Sequence, residues 1–136
     1  MQQSSTKDGW KPMLEVLERL KLSTKDNRMP PPTRIKFPNG MEKPIASWRN
    51  VQESAALWGI EIGYITKANC PITSSQGTHL VHTEPTRKNG NLFTAAFEVA
   101  NFWIEAHASA KDQTRLALAI IESIGQNSSE THLLFD

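Results

Sequence analysis

At 136 residues the chain is read as one domain with an appendage, long enough to bury a core without staples. Its 15 basic and 14 acidic side chains leave a formal charge of +1, which excludes a global field for nucleic acid or anionic lipid; binding of either would need a local patch. A single cysteine, Cys70, excludes an intrachain disulfide or a cysteine-based metal cluster, and no run resembles a signal core or a membrane span. The expectation is a soluble, cytoplasmic protein of prokaryotic type with no membrane partner. A mean hydropathy of −0.45 implies that some segments stay solvated.

Residues 1–9 are polar and predict disorder. From Trp10 the pattern changes. Pro12 suits a first helical turn, and Met13, Leu17 and Leu20 recur at helical spacing, widened by Leu14 and Val16. A helix over about residues 11–22 follows, with Glu15 four residues before Arg19 in the favourable order. Residues 23–32, ending in Pro30-Pro31-Pro32, read as a stiff linker. Residues 1–32 are therefore assigned as a helical arm and linker, and 33–136 as an α+β domain. The arm either folds back on its own domain or reaches another chain, which would make a homo-oligomer.

Within the domain, Ile35 and Phe37 alternate with Arg34 and Lys36 as in a half-buried strand, stopped by the turn Pro38-Asn39-Gly40. Ser47 is the expected N-cap of a helix over about 48–62, whose apolar stripe runs Trp48, Val51, Ala55, Trp58 and Ile62. Residues 78–84 predict a strand ended by Pro85. Asn89-Gly90 is the strongest hairpin signal, and Leu92 to Val99 reads as an irregular return. Phe102, Ile104 and Ala106 then alternate with Trp103, Glu105 and His107. Ser109 caps a helix with Asp112 in the reciprocal position, Gly125 closes it, and residues 131–135 form a last strand. The order β-α-β-β-α-β, preceded by a helical arm, is that of a ferredoxin-like sheet with both helices on one face.

In that fold the first and third strands are neighbours. The sheet face away from the helices then carries Arg34, Lys36, Trp103, Glu105 and His107, cations beside an aromatic, as in RNA-stacking domains; neither aromatic-rich signature of those domains is present. Either the arm or a partner covers this face, or it binds a ligand. Arg49, the Arg87-Lys88 turn, and Lys111 at a helix start extend the basic set; simple solvation is the first reading of Lys111, and helping the helix N-terminus hold a phosphate the second. His82 and Glu84, facing Glu105 and His107, read first as a cross-strand ion-pair lattice; with no HExxH or comparable motif, a Zn or Mn site of a metal-dependent hydrolase is kept only as an outside alternative. Ser109 with His107 lacks a nucleophile elbow, so capping explains Ser109 better. Cys70 has no activating neighbour. No cofactor pattern is present.

The phrase Arg34-Ile35-Lys36-Phe37-Pro38-Asn39-Gly40, a Trp-led helix, and the run His107-Ala108-Ser109-Ala110-Lys111 resemble a small prokaryotic α+β module over residues 33–135. That module is found alone or appended to restriction and nuclease-related proteins. The resemblance implies a DNA-transaction or phage-defence context and no catalysis, since no acidic nuclease triad carries across. The functional expectation is a non-enzymatic accessory module that binds nucleic acid or a nucleic-acid-acting protein. A protein-interaction or self-assembly domain using the arm is the alternative.

Overall fold

A computed structural model describes residues 9–22, 29–106 and 109–135. Among them the chain is α+β, with three α-helices and eight short strands in antiparallel ladders. In chain order these are β1 (Trp10–Pro12), α1 (Met13–Lys21), β2 (Arg34–Lys36), β3 (Glu42–Pro44), α2 (Arg49–Glu61), β4 (Ile72–Thr73), β5 (His79–Val81), β6 (Ala96–Val99), β7 (Phe102–Glu105), α3 (Ala110–Ser123) and β8 (His132–Leu134). The polar segment before Gly9, most of the linker, and His107 lie outside the described residues.

The ferredoxin-like order does not form. The turn at Pro38-Asn39-Gly40 folds β3 back onto β2, and the C-terminal strand β8 takes the other side of β2. Both hydrogen-bonding edges of β2 are thereby filled, so β7 cannot be its neighbour. The main sheet runs β1-β8-β2-β3. β7 pairs instead with β6, in the stretch read from sequence as an irregular return. The link between these two strands is a two-residue turn, Ala100 and Asn101, both left-handed at φ 49° and 73°. A mirror-type hairpin turn needs that conformation at both centres. Immediately after β5, His82 exchanges backbone hydrogen bonds with Trp103, joining the β4–β5 hairpin to β7.

The N-terminal helix folds back on its own domain. Met13, Val16, Leu17 and Leu20 are buried in the same core as Ile35, Trp58, Ile121 and Leu133. Strand β1, in the stretch assigned to the helix start, leads directly into it and pairs with β8. The linker is fastened too: Pro32 is buried, and the Trp48 indole donates to the Met29 carbonyl at 3.3 Å.

Helix α3 packs against both α1 and α2 and touches β4 and β5. Its limits follow local chemistry. The Ser109 hydroxyl accepts from the Asp112 amide at 3.0 Å, and Gly125 adopts φ 81° just beyond the end. The start of α2 differs from expectation. Ser47 does not cap it; the Asn50 side chain reaches back and accepts from the Ala46 and Ser47 amides at 3.0 and 3.1 Å. An amide oxygen on the first turn serves the upstream chain better here than a serine ahead of it. At the centre of the core Trp58 is wholly buried and stacks on Phe37, with ring centroids 4.5 Å apart. Its indole N–H donates to Asn39 at 3.2 Å. The Phe-Pro-Asn-Gly phrase therefore carries an architectural job: it turns the chain and satisfies a buried indole.

Candidate functional site

Strand alternation puts Ile35 and Leu133 inward, both fully buried, and turns Arg34 and Lys36 outward. The register sets Trp10, Leu134, Arg34 and Pro44 in one row across the main sheet, and Pro12, His132, Lys36 and Glu42 in the next. These eight share the outward face. The Lys36 ammonium sits 4.5 Å from the centroid of the Trp10 ring. Arg34 donates to Glu42 at 2.9 Å. The expected juxtaposition of two cations and an aromatic therefore exists, with a different aromatic. Trp103 lies on β7, opposite Glu98 and His82, and does not share this face.

A second cluster of the expected residues forms elsewhere. Arg87, Lys88 and Glu105 line one cleft of about 410 Å³ together with Thr78, His79, Asn89, Arg115 and Leu116. The Glu105 carboxylate accepts from Arg87 Nε at 3.1 Å, from Arg87 Nη2, and from the Thr94 amide at 2.9 Å. Arg87 Nη2 also donates to the Thr94 hydroxyl at 2.8 Å. The carboxylate beside it raises the Arg87 pKa above its ordinary value, first through the hydrogen bond and then through charge. Beneath, the buried Gln52 amide donates to the Glu105 carbonyl at 2.9 Å, tying β7 to α2.

His79 Nδ1 lies 2.8 Å from the Thr86 carbonyl. A carbonyl only accepts, so Nδ1 carries the proton and Nε2 is the nitrogen left for other partners. The His79 and His82 rings meet edge to face at 5.1 Å. Burial holds the His82 pKa below its ordinary value; His79 adds to this and Glu84 opposes it. The buried Nδ1 of His82 has no partner among the described residues.

The remaining expected residues are dispersed. Arg49, exposed in the first turn of α2, lays its guanidinium over Phe97 at 4.5 Å and fastens β6. Lys111 is exposed in the first turn of α3. His107 lies outside the described residues. Of the outside metal set, Glu105 is engaged by Arg87 and His82 faces His79, and no three potential ligands converge among the described residues. Burial pushes the Cys70 thiol up, against a smaller lowering by a backbone hydrogen bond.

Sequence reading missed Trp10, His132, His79 and Arg115. Only Arg115 had a local signal, being four residues beyond Lys111 on the exposed side of α3. Trp10 and His132 meet Lys36 and Arg34 through pairings that span the chain, and neither segment announces its partner. Comparison with protein-family models, with curated proteins and with solved structures gives no match.

Proposed function

We propose that the chain is a non-enzymatic binding module that takes single-stranded nucleic acid on the outward face of its main sheet. The observation that carries this is Lys36 over Trp10, with Arg34 on the same face. An indole offers a stacking surface to any base, and flanking cations meet phosphates. A base that takes the ring from Lys36 gives up a cation–π contact of about 0.5–1 kcal/mol at an exposed site, against about 1–3 kcal/mol for a stacked base. The exchange favours the base and moves Lys36 toward the backbone. The resemblance of the Arg34–Gly40 phrase supports a DNA-transaction or phage-defence setting in a prokaryotic cytoplasm, where a nucleic-acid-acting protein would be the natural companion. Self-assembly through the N-terminal helix is not favoured, because its apolar stripe is buried in its own core.

Fluorescence anisotropy with labelled single-stranded and duplex oligonucleotides tests the reading. Binding is expected to prefer single strands, at micromolar or weaker affinity. The slope of log K against log salt should be about −1.4 for two phosphate contacts. Trp10→Ala should weaken binding by roughly tenfold, about one stacked base. Absence of binding at low salt, or binding indifferent to both salt and Trp10→Ala, sinks the proposal.

A further inference from the structure

We propose that the cleft between the Arg87–Asn91 turn and α3 is a separate binding site for the phosphate group of a small phosphomonoester. Its lining carries three full positive charges, on Arg87, Lys88 and Arg115, against one carboxylate, Glu105. That carboxylate is already surrounded by donors, since it accepts from Arg87 and from the Thr94 amide. It is also the more shielded partner of the ion pair, with a side-chain exposure of 15% against 43% for Arg87. The acid therefore acts as a bracket that fixes the guanidinium plane. With Nε and Nη2 held by Glu105 and Thr94, the Nη1 corner of Arg87 has no partner among the described residues and offers two donors to a ligand.

The other groups point to the same ligand chemistry. Lys88 gives one of its three ammonium protons to the Gln76 carbonyl at 3.1 Å and, among the described residues, retains two. Among the described residues Arg115 is joined only through Nη2 to Asp112 at 3.3 Å, an exposed intrahelical pair that contributes little and yields readily. Asn89 uses its side-chain oxygen on the Asn91 amide at 2.9 Å, so its NH2 is the end left over. The surplus of donors over acceptors selects a compact, acceptor-rich anion, and a guanidinium set beside an ammonium suits phosphate. At about 410 Å³ the cleft exceeds what a bare phosphate needs and matches a phosphorylated small molecule.

A merely structural reading of Arg87–Glu105, a strap holding the turn to β7, makes no demand on Lys88 or Arg115. These two residues therefore decide the matter. The test is an amide-resolved NMR titration of the full chain with inorganic phosphate, AMP and adenosine. Phosphate and AMP are expected to shift the amides of residues 77–79, 87–89 and 115 saturably, with AMP the tighter, while adenosine leaves them in place. Lys88→Gln and Arg115→Gln are each expected to weaken AMP by about tenfold, the effect of losing one charge-assisted contact. Both residues are exposed, and retention of the spectrum elsewhere verifies the fold. No saturable shift at about 10 mM phosphate or AMP, equal binding of adenosine and AMP, or indifference to both cleft variants overturns the assignment. Trp10→Ala should leave this titration intact, so the cleft and the sheet face fail separately.

Discussion

His82 shows how one buried atom couples the fold to pH. Its Nδ1 has no partner among the described residues, its ring meets His79, and burial depresses its pKa from the ordinary 6.5. The unfolded chain therefore binds a proton more readily than the folded one. Stability associated with this residue is fully present above about pH 6.5 and is lost as pH falls toward the depressed folded value, below which the loss levels off. His82→Phe keeps a ring at the site and cannot be protonated. In thermal melts from pH 8 to pH 5, the fall in Tm of the wild type should be steeper than that of His82→Phe, with the two curves diverging below about 6.5. Parallel curves across that range would remove the assignment.

Among elements, the β6–β7 hairpin separates what local pattern reveals from what it conceals. Helices α2 and α3 were legible because their apolar stripes repeat every three to four residues, and Ser109 and Gly125 mark the ends of α3 with groups that work within a single turn. Strand β6 was not. Only four residues long and bearing an exposed Glu98, it turns into β7 through Ala100, a residue that does not advertise a left-handed conformation. Asn101 tolerates φ 73°, but Ala100 at φ 49° presses its Cβ against the backbone at a cost of about 1 kcal/mol. Ala100→Gly should remove that cost and stabilise the chain by roughly 0.5–1 kcal/mol, read as a higher midpoint in urea with an unchanged slope. Ala100→Val, adding bulk at the same φ, should lower the midpoint. A glycine variant no more stable than the wild type would count against strain at this turn.

For the whole molecule, the main sheet is assembled from the two ends of the sequence. The C-terminal strand β8 is flanked by β1 on one side and β2 on the other, and Leu133 at its middle is fully buried. Nothing in residues 131–135 marks them as the centre of a sheet; the stretch reads as one more short alternating strand. The same non-local choice set Trp10 rather than Trp103 beside Lys36, which is why Arg34 and Lys36 could be placed on one face by alternation while the aromatic beside them was misplaced. The sheet's outer edges are blunted, since β1 ends in Pro12 and β3 in Pro44, neither of which can donate to a further strand. β8 is therefore hard to replace. Removing residues 131–136 would leave β1 without its partner, strip one edge of β2, and open the core beneath Met13 and Ile35. Leu133→Ala alone should cost about 2–5 kcal/mol. Domains of this size hold roughly 5–15 kcal/mol in all, so the truncated chain should lose its cooperative thermal transition, whereas Leu133→Ala keeps one at lower temperature. Circular dichroism melts of the two variants distinguish these outcomes, and a truncated chain that still melted cooperatively near the wild-type temperature would show that β8 closes the sheet without supporting it.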